Sequence, residues 1–166
     1  NFLIHQGDVE GAGIAASSVL AAPGGPRSAQ AHATTALANL AHMRGDFDEA
    51  NAHYERAYAL RERIGDLRGC WYASISLGAL HLLHARLDSA REHIKRGYRM
   101  ARQGGDAFGM MAAHIYAGDL AAIEERLEDA KENYEMGLDL EKSIDNSQFR
   151  STLQRRLGTL FALRGD

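Results

Sequence analysis

Three stretches of this chain align without a gap at a spacing of 40 residues: GDFDEANAHYERAYAL (45–60), ARLDSAREHIKRGYRM (85–100) and ERLEDAKENYEMGLDL (125–140). Ala50, Ala90 and Ala130 coincide, as do Tyr54, Ile94 and Tyr134, and then Ala57, Gly97 and Gly137. The segments before them keep the same register at Leu37-Ala38, Leu77-Gly78, Ala117-Gly118 and Leu157-Gly158. Punctuation recurs at Gly25, Gly65, Gly105 and Asp145, and IHQGDVEGA (4–12) matches once more, 38 residues early. A fixed period of this length means units that bury their apolar faces only against their neighbours.

Within one unit the pattern is helical. Over 87–103, Leu87, Ala90, Ile94, Gly97, Tyr98 and Ala101 follow the spacing of one helix face, while Arg91, Glu92, Lys95, Arg96 and Arg99 make a solvated one. Segment 71–83 is apolar on several sides, through Trp71, Ile75, Leu77, Leu80, Leu82 and Leu83, and needs cover on several sides. Each unit thus reads as an inner helix A followed by an outer helix B. Residues 1–6 finish a helix A and 8–22 form its B. Pairs follow at 27–44 with 47–63, 67–84 with 87–103 and 107–124 with 127–143, then a lone helix A at 147–164. Gly78, Gly118 and Gly158 fall mid-helix at one register, where each costs about 1 kcal/mol against alanine. Close approach of the next helix B, at the level of Ala50, Ala90 and Ala130, is expected to offset that cost.

Arg-Gly-Asp occurs at 44–46 and again at 164–166. Gly45 and Gly165 occupy the same slot of the repeat, and Gly7 takes it in the first partial unit, so the motif reads as a turn between helices and not as an adhesion signal. Glycine suits the left-handed position after a helix. Asp46 with Glu49 has the capping-box spacing for the helix that follows. Ala85-Arg86 and Glu125-Arg126 stand in the slot elsewhere, so glycine is not obligatory there. APGGPRS (22–28) reads as a turn.

Small residues at the eighth position of helix A, alanine at the twentieth of the unit, an aromatic or Ile at the twenty-fourth and Ala or Gly at the twenty-seventh resemble the tetratricopeptide repeat. The family's helix A Trp and Tyr are replaced here by Thr34, Ser74, His114 and Gln154, and by Ala41, His81, Ala121 and Phe161. The standard unit is about 34 residues. The 40-residue form is similar to the arrays of kinesin light chains and of large bacterial ATP-dependent transcription regulators. The six extra residues lie between Ala50 and Leu77, at the end of helix B, in the B-to-A turn or at the start of the next A. The resemblance implies an all-α solenoid of about eight helices in a right-handed superhelix. Its single domain spans 1–166, as a partial repeat 1–25, repeats 26–65, 66–105 and 106–145, and a half repeat 146–166.

The resemblance further implies a concave surface lined by helix A, on which peptides meet positions 2, 5, 9 and 12. Carried onto this chain these are His32, Thr35, Asn39 and His42, then Tyr72, Ile75, Ala79 and Leu82, then Ala112, Ile115, Asp119 and Ala122, and last Thr152, Arg155, Thr159 and Ala162. Ile75, Leu82 and Ile115 are equally suited to packing between helices. The lining lacks a repeated Lys/Asn clamp for peptide C-termini. Arg150, Arg155 and Arg156 suggest an anion-binding end to the groove.

Net charge is −3 and the pI about 6.2, so no global basic field draws nucleic acid or an anionic membrane. One cysteine, Cys70, forms no internal disulfide and points weakly to a reducing, cytoplasmic setting. No apolar run approaches the roughly 18 residues of a membrane span. Among eight histidines, His81 with His84 and His32 with His42 carry no metal-binding spacing, so no metal or cofactor is expected. Carboxylate pairs at Glu124-Glu125 and Glu128-Asp129 fall at helix ends, where acids favour the dipole and water. No phosphate loop or nucleophile motif supports an enzyme.

The reading that follows is a non-catalytic protein or peptide interaction scaffold. The start at Asn1 and the alanine, arginine and glycine bias suggest a piece of a larger bacterial regulatory protein. The alternative is a ligand-sensing domain, with Tyr72, Tyr116 and Asp119 within reach of a small molecule or signalling peptide in the concavity. Leu157, Leu160, Phe161 and Leu163 on the last helix, with no helix B to cover them, are expected to support self-association through 147–164.

Overall fold

The computed structural model describes residues 6–22, 24–144 and 147–164. Among the described residues eight α-helices follow one another: α1 (Gln6–Ala21), α2 (Arg27–Arg44), α3 (Phe47–Arg63), α4 (Leu67–Leu83), α5 (Leu87–Gln103), α6 (Ala107–Ile123), α7 (Leu127–Ile144) and α8 (Ser147–Arg164). They pack as sequential antiparallel pairs, each helix against the next, and α4 also meets α6. The helices of the full pairs fall within one residue of the expected bounds. Gly7 differs: it lies inside α1 and not in a turn. The expected end of a helix A at 1–6 lies almost wholly outside the described residues, as do Asp145 and the second Gly-Asp pair, Gly165-Asp166.

The stacking is carried by glycine slots. A Cβ on Gly78 would lie 2.7 Å from Ile94 Cγ1, and one on Gly118 would lie 2.6 Å from Tyr134 Cδ1. In the units 66–105 and 106–145 the twenty-fourth residue therefore lies on the mid-helix glycine of its own helix A. Ala50, Ala90 and Ala130 are fully buried at the same seam. Gly97 serves the reciprocal role, its Cβ position 2.6 Å from Ile75 Cδ1. Gly158 has no atom within 4 Å. Buried Trp71, Ile75, Ile94 and Leu120 form one core cluster, and Met111, Tyr134, Leu153 and Leu160 the next.

The five turns from α2 to α7 close the same way. Gly45 is left-handed (φ 81°), with its N–H on His42 O and the Asp46 N–H on Ala41 O, the double bond that satisfies a helix's last carbonyls. Gly65 (φ 72°) and Gly105 (φ 65°) repeat it between units. Ala85 (φ 53°) and Glu125 (φ 59°) adopt it without being glycine. A left-handed side-chain residue costs about 1–2 kcal/mol, part of which glycine gives back as unfolded-state entropy. Ala85→Gly and Glu125→Gly are thus expected to stabilise by about 0.5–1 kcal/mol each, read as a raised midpoint in urea unfolding.

The helix starts differ from expectation. Asp46 makes no capping hydrogen bond to α3, and Glu49 pairs with His53 (3.7 Å) instead of reaching back. The caps fall on α4 and α6: the Gly69 N–H donates to Asp66 (2.8 Å) and the Gly109 N–H to Asp106 (3.0 Å). Those carboxylates are held by second donors, Arg61 on Asp66 (2.6 Å) and Trp71 Nε1 on Asp106 (3.1 Å).

Candidate functional site

The A helices α2, α4, α6 and α8 carry a polar row built from tyrosines and their acceptors. Tyr54 donates its hydroxyl to Asn39 Oδ1 (2.6 Å), which the Tyr72 hydroxyl also reaches at 3.5 Å. Two repeats further on, Tyr134 donates to Asp119 Oδ1 (2.8 Å). Arg156 grips the same carboxylate with Nε at 2.6 Å and Nη2 at 2.8 Å. Burial pushes the Tyr54, Tyr116 and Tyr134 phenols above the ordinary tyrosine range, and the Asp119 carboxylate adds to this for Tyr116 and Tyr134. They stay protonated donors at neutral pH. The Asp119 hydrogen bonds hold Arg156 firmly in its charged form.

The spacing explains which units are polar. Residues 15 apart meet across each pair: Asn39 with Tyr54 and Asp119 with Tyr134 are polar couples. Ala79 and Ile94, at the same positions of the middle unit, are both apolar. The row is therefore polar near α2 and α6 and apolar between them, with Tyr72 exposed and Tyr116 half-buried beside it.

Of the residues expected to line the groove, Asn39, Tyr72, Tyr116 and Asp119 share this row. His32 is exposed and shares with Tyr72 an open cavity of about 480 Å³, lined also by Arg61, Asp66, Arg68 and Phe108. Thr35 and Ile75 are buried, which removes them from the surface. Position 5 is an A-to-B packing position in this array, since Ile75 fills the Gly97 slot and Thr35 accepts from Arg61 (3.3 Å). Arg155 and Thr159 are exposed on α8, linked by the Thr159 hydroxyl on the Arg155 carbonyl (3.0 Å).

The expected anion-binding end is largely neutralised. Arg150 makes two bonds to Glu141, a carboxylate only 1% exposed, at 2.8 and 3.1 Å. Arg156 is taken by Asp119, so Arg155 alone stays outward. Spacing puts Arg155 at groove position 5 of α8, and Arg156, grouped with it in the sequence, is the arginine that joins the row. The residue the sequence reading missed is Arg61, whose odd placement where the next unit has Ala101 was the available signal. The uncovered apolar end is smaller than expected too. Leu160 is buried and Leu157 half-buried against the α7 side, Phe161 is 38% exposed, and the Leu163 side chain lies outside the described residues.

Other groups behave as structural parts. Cys70 is buried, and desolvation pushes its thiol up to about 11, so it is no nucleophile at neutral pH. Glu124 is pinned by Arg91 and Arg126 and not merely solvated. Among the described residues, no three His, Cys, Asp or Glu are grouped to hold a metal ion. No helix among them is long and apolar enough to cross a membrane.

Residues 30–103 match the family model described as tetratricopeptide repeat. Those residues carry tetratricopeptide repeats. A search of curated proteins finds no significant relative. Among solved structures, the array is similar to BtubC (BKLC) from P. vanneervenii. That match has a TM-score of 0.80 at 15% identity and covers 97% of this chain and 68% of that one. At that identity the likeness speaks for the fold. Tetratricopeptide repeat domains are in general protein-interaction scaffolds and usually non-catalytic.

Proposed function

We propose that this array is a non-catalytic module of a larger bacterial regulatory protein, working in the cytoplasm, and that it binds a protein or peptide partner along the face formed by α2, α4, α6 and α8. The observation that carries this is the Asn39–Tyr72–Tyr116–Asp119 row. It sets exposed aromatic surface beside fixed hydrogen-bonding groups on rigid helices, the combination that anchors interfaces. Asn39 offers its amide N–H2 as a donor for a backbone carbonyl, Asp119 a remaining lone pair for a backbone amide, and Tyr72 a ring face. The open form of the cavities favours an extended peptide over an enclosed small molecule. A ligand-sensing array would need a closed pocket around Tyr116 instead.

The test is affinity for peptides selected against the array from a random library, measured by calorimetry. Tyr72→Ala is expected to weaken binding by roughly tenfold or more, as loss of an exposed aromatic anchor does. Glu92→Ala, exposed on α5, is expected to change nothing. Equal affinity for both variants contradicts the reading.

A further inference from the structure

The gaps between consecutive B helices are not equivalent, and the difference opens a site. Between α3 and α5, Arg96 lies over the Tyr58 ring at 3.9 Å, donates to Ser74 (3.0 Å) and faces Glu55 (3.6 Å), closing the gap. Forty residues later the same places hold Met136, Tyr98, His114 and Lys95. The closing arginine has become a methionine that stands 42% exposed, and the counter-charge has changed sign. What remains is a cleft of about 350 Å³ floored by Ile94, Tyr98, Ala113 and Ala117, with Lys95 and Arg99 at its edge. Both cations are exposed, and among the described residues neither makes an ion pair.

We propose that this cleft is a self-association site, and that its occupant is Met136 of a second copy. Met136 projects from α7 between Glu132, Glu135 and Asp139, all exposed. An apolar side chain ringed by carboxylates is the chemical complement of an apolar cleft edged by two unpaired cations. The carboxylates are available: Glu135 and Asp139 are engaged by Lys131 (3.8 Å) and Lys142 (2.7 Å) in exposed pairs of the kind that contribute little. Cleft and projection lie on the same outer surface of the same chain, so two copies satisfy each other reciprocally and the contact closes as a dimer. The site is separate from the A-helix groove and independent of what that groove binds.

Sedimentation equilibrium on the whole chain tests this. The expected result is a concentration-dependent dimer at low salt, weakened in about 1 M NaCl, where the Debye length is about 3 Å. Met136→Arg restores the residue that closes the α3–α5 gap and is expected to abolish the dimer while leaving the melting temperature unchanged or higher. Arg99→Glu is expected to weaken association by more than about tenfold. Mixing Arg99→Glu with Glu135→Arg chains is expected to restore it, since both halves of the contact are then complementary. A chain that stays monomeric at millimolar concentration overturns the proposal. So does a dimer indifferent to Met136→Arg and Arg99→Glu, or one lost only on Phe161→Lys, which would place the contact on α8.

Discussion

Gly118→Leu lowers the stability of the array by about 3 kcal/mol, and Gly158→Leu does not lower it at all. At position 118 the first added atom already meets Tyr134, at 2.6 Å from Cδ1 and 3.0 Å from Cζ, before the rest of the leucine is placed. The ring must leave its slot, which costs about 1–3 kcal/mol as overpacking. Its hydroxyl then loses Asp119, worth about another 1 kcal/mol. The better helix propensity of leucine returns less than about 1 kcal/mol. At position 158 nothing lies within 4 Å, so only the propensity gain remains. In a chain of this size the difference corresponds to roughly 10 °C in melting temperature. Equal melting temperatures for the two variants would contradict the stacking.

Acid weakens the fold through two stacked histidines. His81 on α4 and His93 on α5 lie ring on ring, 5.0 Å apart and 2° from parallel. Burial, helped by Arg96 and by His81 itself, pulls His93 down to about 4. Burial and Arg86 pull His81 below the ordinary histidine range, with Glu55 opposing and His84 adding. Arg96 donates to His93 Nδ1 at 3.0 Å, so the ring accepts there in its neutral form. Glu55, 3.6 Å from His93 Nε2, pulls the other way, but it is half-exposed and water screens it. Phe47 flanks His81 edge-on at 5.5 Å. The native state therefore binds fewer protons than the unfolded chain below about pH 6.5. Stability is complete above that pH, declines as pH falls toward about 4, and levels off for His93 below it. For His93 the loss is about 3 kcal/mol. Urea unfolding at about pH 7.5 and about pH 4.5 measures it. His93→Gln is expected to remove most of the loss, and a variant as acid-sensitive as the parent would contradict the assignment. The Asp66 carboxylate, held below its usual range by the Gly69 amide and Arg61 against the pull of burial, acts in the lower window where carboxylates titrate.

Periodicity made most of the architecture readable. Once Ala50, Ala90 and Ala130 are in register, helix bounds follow from spacing, and a glycine repeated mid-helix announces a close approach. Choices that depend on a distant partner were not readable. Asp46 and Asp66 look alike as helix caps, but only Asp66 has Arg61 to hold it. Thr35 and Ile75 looked like groove residues because position 5 often is one, while here Gly97 and Arg61 draw them inward. Arg150 and Arg156 looked like free cations because Glu141 and Asp119 come from other helices. The exchange of Arg96 for Met136 was visible in the alignment, yet its meaning required knowing that Arg96 covers Tyr58.

The central claim is that recognition belongs to the A-helix face. Backbone amide shifts of the labelled array, recorded while a selected peptide is added, test it most directly. The account predicts perturbations concentrated around Asn39, Tyr72, Tyr116 and Asp119, with the outer residues of α3, α5 and α7 unmoved. Perturbations confined to those outer helices would contradict it.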